Sequence, residues 1–410
     1  MERSIVQGRS LALLLTLAVA CAALAMGLRQ SFGLYLAPMT TALGWSTSGF
    51  ALAIAIQVLM NGFSQPIVGQ LADRFGGRVV VMGGALLYAI GIAGMALAPD
   101  LSIFTIFAGF LMGVAVSAAG MPVIVASLTR QLPESMRGRA AALGTAGSSL
   151  GQFLVVPLSG AALSALGWQV ALLAMAAAAL LMVPLALPLA GRPAPKAAAG
   201  GPDEPAGVAL ARAFRSRRFW CLFFGFFVCG LHVSFLAVHM PGFVALCHLP
   251  VHVGAWSISL IGLFNVIGSL GAGELTQRWK RRELLVAIYA LRALVMAVFF
   301  LAAEPTTTSV LVFSALMGVL WLSTVPPTVA LCARNFGTRW LATIFGLVFL
   351  GHQVGGFLGA WLPGLIFDRT GNYDAMWIIS IAAGIFAALI HLPVREPVPT
   401  AAQPAAAKPA

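Results

Sequence analysis

The feature that most constrains this chain is a series of long apolar stretches, each close to the length that crosses a lipid bilayer. A helix needs about 20 apolar residues to span the hydrocarbon core, and it satisfies its own backbone hydrogen bonds there. Only 9% of the residues are charged, and the mean hydropathy is +0.96, which excludes a soluble globular domain. The sequence predicts an all-α membrane protein with twelve transmembrane helices, near 11–38, 48–71, 78–97, 102–128, 139–164, 167–190, 219–245, 253–275, 284–303, 306–333, 340–366 and 373–393.

Positive charge is concentrated in alternate loops. Most of the 24 lysines and arginines lie in the N-terminus, the 2–3, 4–5 and 8–9 loops, the central segment, the segment after the tenth stretch and the tail. The positive-inside rule then predicts that both termini are cytoplasmic, which agrees with an even number of spans in an inner (plasma) membrane. No basic stretch is interleaved with exposed aromatic residues, so the net charge of +12 is interpreted as a topology signal and not as a nucleic-acid site.

The chain divides into two similar halves. GLRQSF at 27–32 matches GLHVSF at 230–235, and GQLADR at 69–74 matches GELTQR at 273–278. We therefore predict two pseudo-symmetric six-helix halves, residues 1–190 and 219–396. A flexible cytoplasmic linker (191–218), rich in Pro, Ala, Gly and charge, separates them, and a disordered tail (397–410) follows. Duplicated six-helix halves are typical of carriers that hold their substrate at the membrane midplane between the halves.

The loop between the second and third stretches contains GQLADRFGGR (69–78), which resembles the signature of the major facilitator superfamily at the same place. The resemblance implies that Asp73, Arg74 and Arg78 latch the cytoplasmic side in one conformational state. The alternative is a purely structural role, in which the loop is a tight turn and its arginines set the topology. The two roles are compatible. The second copy, GELTQRWKRR (273–282), has Gln277 where an acid is usual, so we expect a weaker latch in the second half.

Within the superfamily, GLRQSFGLYLAPM in the first span, GLVFLGHQVGGFLGAW in the eleventh and the DRTGNY that follows are similar to the monocarboxylate transporter and oxalate/formate antiporter branch. Members of that branch carry an arginine in the eighth span, sometimes with an acid four residues before it. Here Asn265 and Ser269 take those places, and His352 stands where the antiporters have a lysine. The resemblance therefore implies a carrier but leaves the substrate open.

Ionisable side chains within a span cost about 2.5–3.5 kcal/mol each on insertion scales, so each requires a reason. Arg29 stays charged, and its planar fork suits a carboxylate, which makes it the first candidate for substrate or gate contact. Its repeat mate His232 and the mid-span His352 are further candidates, with packing as the alternative. For Arg292, in the ninth span, we expect structural pairing, with Glu283 as a candidate partner.

Uncharged polar residues complete the candidate set. The pseudo-symmetric Asn61 and Asn265 fit either a cavity hydrogen bond or an interhelical one. Tyr35, Gln152 and Gln353 are weaker candidates for substrate contact. The glycines within the fifth and eleventh spans are interpreted as packing and rocking surfaces.

No acid occupies a mid-span position, which disfavours a carrier of organic cations and favours a small anionic substrate. The leading hypothesis is a monomeric secondary transporter for a monocarboxylate-like anion, with protons or a counter-anion as coupled partners. No cofactor or metal is expected, because Cys247, His248 and His252 form only a short polar loop. The sequence contains neither a nucleophile–base pattern nor a phosphate-binding loop, so we do not expect an enzyme. The alternatives are efflux of amphipathic drug-like compounds and, from another class, a non-transporting membrane sensor.

Overall fold

The computed structural model describes residues 2–131, 137–189, 205–302, 304–337, 339–394 and 396. The tail 397–410 and residues 191–204 of the predicted linker lie outside the described residues. Within the described part, eleven helices are long and apolar enough to cross a membrane. We number the spans in chain order: 1, Ala12–Leu43; 2, Thr47–Phe75; 3, Gly77–Leu97; 4, Leu101–Leu128; 5 and 6, Leu143–Leu185; 7, Arg217–Leu246; 8, Val251–Arg278; 9, Arg281–Leu301; 10, Thr307–Phe336; 11, Leu341–Thr370; 12, Asp374–His391.

Spans 5 and 6 follow each other without a loop in a helical stretch of 43 residues, but this stretch makes two crossings. Gly167 interrupts it with φ 76° and ψ 166°, a conformation that a residue with a side chain rarely adopts. The chain reverses there, which brings the number of crossings to twelve and confirms the predicted fold class.

Helix caps fix where several spans begin. The Ser46 hydroxyl accepts a hydrogen bond from the Gly49 amide at the start of span 2. The Asp100 carboxylate accepts from Ser102 and Ile103 at the start of span 4. Each cap satisfies amides of a first helical turn that have no partner within the helix.

Two spans are broken at matching places in the two halves. Span 4 is interrupted just before the helix Met121–Gln131, and span 10 is interrupted between Leu320 and the helix Val325–Phe336. Prolines near the start of each second segment (Pro122, Pro327) favour the interruption, because proline has no amide to donate into the preceding turn. Carriers often place polar backbone at such breaks near the membrane midplane.

The predicted linker is not wholly irregular. Residues Ala206–Arg215 form a helix with Ala209 and Ala213 buried on one side and Val208 and Phe214 more than two-fifths exposed on the other. Span 7 then starts at Arg217, two residues earlier than predicted.

Glycines let paired spans within each half approach closely, as predicted for spans 5 and 11, except at Gly346, where an added Cβ would meet no described atom within 4 Å. A Cβ at Gly151 of span 5 would collide with the Ala23 carbonyl of span 1. In the second half, a Cβ at Gly355 of span 11 would collide with the Phe227 carbonyl of span 7. Spans 1 with 5 and 7 with 11 are therefore equivalent packed pairs.

Contacts between the two halves lie from mid-membrane toward one end of the bundle. At this closed end, Gly33 of span 1 touches the Ala237 backbone of span 7, and a Cβ on Gly160 of span 5 would lie 2.8 Å from the Cβ of Ala255 in span 8. The Asp368 carboxylate at the end of span 11 accepts hydrogen bonds from the first amides of span 2 at 3.0 and 2.8 Å. The closed end is thus the end that carries residues 30–48, 237–255 and 364–374.

The halves diverge toward the opposite end, which we call the open end. Midway along the pair of spans 2 and 11, a Cβ on Gly62 would lie 2.7 Å from the Gln353 side chain. Seven residues further along each antiparallel helix, about 10 Å away, are Gly69 and Gly346. A Cβ built at either of these would meet no atom of the described residues within 4 Å, and the same holds for Gly271 of span 8.

Candidate substrate site and gate

Exposure separates the eight candidate substrate-binding residues into two groups. Only Arg29 and His352 are half-buried, although both lie near the middle of their spans. The other six are buried in the described structure: Tyr35, Asn61, Gln152, His232, Asn265 and Gln353. A polar side chain that remains partly exposed at membrane depth faces a water-filled space or a groove and stays available to a ligand.

Arg29 has a free guanidinium within the described part of the chain. It lies in the last turn of the helix Glu2–Gln30, and no described residue hydrogen-bonds or ion-pairs with it. Its electrostatic neighbour is Tyr88, whose hydroxyl donates to the Ala25 carbonyl at 2.8 Å. A permanently charged fork that lacks a protein acid needs water or an anion to satisfy it.

His352 sits on an aromatic shelf in span 11. Its ring stacks on Phe349, with centroids 5.5 Å apart and planes 4° from parallel, and Phe226 of span 7 is 5.1 Å away. One ring nitrogen, Nδ1, lies 3.1 Å from the Gln353 amide oxygen, and Gln353 in turn donates to the Val58 carbonyl of span 2 at 2.7 Å. The histidine is therefore linked through one neighbour to the contact between the halves.

Gln152 and Asn265 use their side chains to join the halves. Gln152 accepts from Gln30 at 3.2 Å and donates across to the Ile258 carbonyl of span 8 at 2.8 Å. Asn265 donates to the Ser149 hydroxyl of span 5 at 2.9 Å. With both groups already bonded to protein, interhelical bonding is the role that their geometry favours.

Asn265 also holds the break in span 10. Its oxygen accepts from the Leu322 amide at 3.1 Å, inside the interruption between the two helical segments. The Asn265 side chain therefore contacts both the break in span 10 and Ser149, which belongs to the other half. A movement of the halves at this level changes the surroundings of the break.

Three further candidates pack inside their own half. Tyr35 is fully buried, and its hydroxyl is 2.9 Å from the Ser159 hydroxyl. Asn61 is buried in span 2, 3.5 Å from the Gln65 amide. His232 places Nε2 2.8 Å from the Ser380 carbonyl of span 12. The repeat mates Arg29 and His232 therefore have different surroundings.

The buried Arg292 was expected to pair with Glu283, and that pairing is wrong. Its guanidinium donates to the Leu320 carbonyl at 3.0 and 2.5 Å and to the Trp321 carbonyl, while Glu283 bonds Lys280. Helix-end carbonyls carry partial negative charge, so a cation stabilises them. Sequence reasoning missed this role because only the fold places the break of span 10 beside span 9.

The predicted gate residues lie at the open end. Asp73 and Arg74 are exposed and Arg78 is half-buried, and the Arg74 guanidinium lies 5.2 Å from the Phe75 ring centre. Asp73 has an interaction partner, and the neighbouring side chains of 137–142 lie outside the described set. These three residues thus lie at the open end, where span 2 ends and span 3 begins.

In the second half an unforeseen acid occupies the equivalent region. The Glu396 carboxylate lies 3.4 Å from Arg281 and 3.3 Å from Arg334, and it accepts from the Arg282 amide at 2.8 Å. Glu396 therefore connects the segment after span 12 to the start of span 9 and to the end of span 10. The only sequence signal was an acid placed after the last span, close to the basic loops.

Two six-span halves that meet along spans 2 with 11 and 5 with 8, and that leave a cation partly exposed at mid-membrane, define a multi-pass membrane carrier. The family model described as "Major Facilitator Superfamily" matches residues 15–360. The chain belongs to this superfamily and is a transporter; members of the family are transporters and not enzymes.

Similar proteins agree with this assignment. The uncharacterized MFS-type transporter YcxA of Bacillus subtilis is 25% identical over 380 residues, which cover 89% of this chain and 90% of that protein. Monocarboxylate transporter 13 of Bos taurus is 25% identical over 390 residues, covering 90% and 87% of the two chains. Among solved structures, the nucleoside transporter NupG superposes with a TM-score of 0.76 at 15% identity, covering 94% of this chain and 99% of that one.

Proposed function

We propose that this protein is a secondary active transporter of a small organic anion, such as a monocarboxylate. The observation that carries the proposal is Arg29, a half-buried guanidinium near the middle of span 1 with no protein acid beside it in the described structure. A carboxylate would bind this fork with two parallel hydrogen bonds. The similarity to monocarboxylate transporters, at 25% identity, supports the same substrate class.

The substrate is held between Arg29 and the span 11 face that carries His352. Both are partly exposed at a similar depth, one in each half. An imidazole can both accept and donate a proton, so His352 is suited to carry a coupled proton. Because no acid is available mid-span, proton coupling depends on histidine, and exchange for a counter-anion is the other mode.

Transport proceeds by alternating access. The closed end is sealed by the contacts of Gly33, Gly160 and Asp368, and the free space at Gly69 and Gly346 lets spans 2 and 11 approach at the open end in the opposite state. With both termini cytoplasmic in the plasma membrane, the open end faces the cytoplasm. Asp73, Arg74 and Arg78 then latch that end when it closes.

The test is uptake of labelled monocarboxylates and dicarboxylates into proteoliposomes, with and without an inward acid gradient. Saturable uptake of one acid supports the proposal, and stimulation by the gradient assigns proton coupling. We expect Arg29→Gln to raise the apparent KM for that acid about tenfold to a hundredfold, because glutamine keeps one donor and one charge-assisted hydrogen bond is lost. Arg29→Lys, which keeps the charge and loses the fork, should lie between the two.

Arg369→Gln is the matched control, because that arginine is exposed at the closed end. It should leave the apparent KM unchanged. An Arg29→Gln protein that inserts, folds and transports with wild-type affinity would remove Arg29 from the site. If folded wild-type protein took up no acid but did take up amphipathic cations, the proposal would be replaced by efflux.

A further inference from the structure

A lateral groove opens between the two halves on the lipid-facing surface at the closed end. It has a volume of about 470 Å³, within the range of about 300–1,000 Å³ typical of ligand sites. Span 5 contributes Pro157, Leu158 and Ala161, and span 8 contributes Ala255 and Trp256. None of the candidate substrate residues lines it, so the groove is separate from the site described above.

The shape and polarity of the groove match one leaflet of a bilayer. Its span 5 wall runs from Phe153 to Ser164, about 16 Å along a helix, which is close to half of the roughly 30 Å hydrocarbon thickness. Leu158 is 69% exposed and Trp256 42% exposed, so the wall continues the lipid-facing surface of the protein. Its deep part is apolar throughout.

The hydrogen-bond donors of the groove lie only at its membrane-surface end. His252 is exposed at the second position of span 8, and Pro250, the N-cap of this helix, has no side chain to cap it. The first amides of the 28-residue helix therefore point outward with the positive end of its dipole. These donors complement an anionic group that lies directly above an apolar chain.

We propose that the groove binds a long-chain carboxylate, a fatty-acid anion, with its chain between spans 5 and 8 and its head group at His252. We assign a single chain to the groove because its volume of about 470 Å³ lies toward the small end of the range of about 300–1,000 Å³ for ligand sites. The ligand would contact both halves beside the Gly160–Ala255 contact. It would therefore stabilise the state in which the closed end is sealed.

The test uses quenching of tryptophan fluorescence by dibrominated stearic acid, added to the full-length protein in nanodiscs of zwitterionic lipid. Trp256 lines the groove, so Trp256→Phe should abolish the saturable part of the quenching. Ala161→Phe fills the groove and should weaken binding at least tenfold. Ala165→Phe is the matched control, one turn further on the same helix, exposed and outside the lining, and it should bind like the wild type.

Head-group recognition is measured by comparing the acid with its methyl ester. The wild type should prefer the acid, and His252→Ala should reduce that preference about fivefold, the effect of losing one exposed hydrogen bond to a charged group. Quenching that never saturates, an equal effect of Ala161→Phe and Ala165→Phe, or equal binding of acid and ester would each overturn the proposal. Because the readout is binding, these results do not depend on which substrate is transported.

Discussion

The seal at the closed end can be weakened by one isosteric substitution, Asp368→Asn. The Asp368 carboxylate accepts from the Thr47 amide with one oxygen, at 3.0 Å, and from the Ser48 amide with the other, at 2.8 Å. These bonds join span 11 to the positive end of span 2, across the two halves. Asparagine keeps one acceptor, removes the charge and turns a donor toward the second amide.

The size of the effect follows from these two bonds. A hydrogen bond to a charged group contributes about 1.5–3 kcal/mol when buried. Asp368 is exposed at the surface, so screening lowers the expected loss for the pair to about 1–2 kcal/mol. Since 1.4 kcal/mol changes an equilibrium constant about tenfold, the population with the closed end open should rise about fivefold to thirtyfold.

Electron–electron distance measurements between spin labels at Pro99 and Glu304 report this population. Both residues are exposed and lie in closed-end loops, one in each half. Asp368→Asn should add a population with a longer distance between the labels. Asp374→Asn is the control, because Asp374 is an exposed acid at the start of span 12, and it should not add this population. An unchanged distance distribution, or the same change in both variants, would refute the idea that Asp368 seals this end.

Three further substitutions test the packing and the site. Gly151→Leu should abolish folding, because even a Cβ there collides with the Ala23 carbonyl. Gly346→Leu should keep the wild-type melting temperature but slow uptake, because the free space at Gly346 is needed only when the open end closes. Arg292→Met should lower thermal stability by about 2–4 kcal/mol, because two buried carbonyls lose their donors; an unchanged melting curve would contradict this. Tyr35→Phe should leave the apparent KM for the transported acid within about twofold, because the buried hydroxyl bonds Ser159; a large rise in KM would return Tyr35 to the binding site.

The pattern of bonds around Asn265 offers a physical link between the halves and the broken span. The same amide group contacts Ser149 of span 5 and the Leu322 amide in the break of span 10, while Arg292 holds the carbonyls on the other side of that break. A rocking motion that separates Ser149 from Asn265 would release one of the restraints on the break. Coupling through packed elements with two arrangements is the usual physical basis of such communication.

The spans could be predicted, with ends up to five residues from those observed, because local chemistry determines them. Hydropathy over about 20 residues defines each crossing, and the caps at Ser46 and Asp100 are side chains whose oxygens accept amides two or three residues away. The reversal at Gly167 was likewise predicted as a boundary between two spans. Each of these features depends on residues close together in the chain.

The individual roles of polar residues could not be predicted in the same way. Arg29 and His232 occupy matching positions of the repeat, yet one is half-buried and the other is fully buried against span 12. Glu396 and Arg292 found partners more than 25 residues away. A repeat in sequence fixes the level of a residue in the membrane but not what packs beside it.

The sequence by itself determined that this chain crosses a membrane twelve times in two similar halves and has positive charge but no acid at mid-span, because hydropathy, repeat spacing and charge are properties of the residues alone. Only the tertiary structure decided which polar groups are buried in hydrogen bonds between helices, as at Gln152 and Asn265, and which stay partly exposed, as at Arg29 and His352. It also decided that Gly151 is in contact while Gly346 is free. The physical reason is that hydrogen bonding and close packing depend on distances between spans, which the antiparallel pairing of the two halves sets.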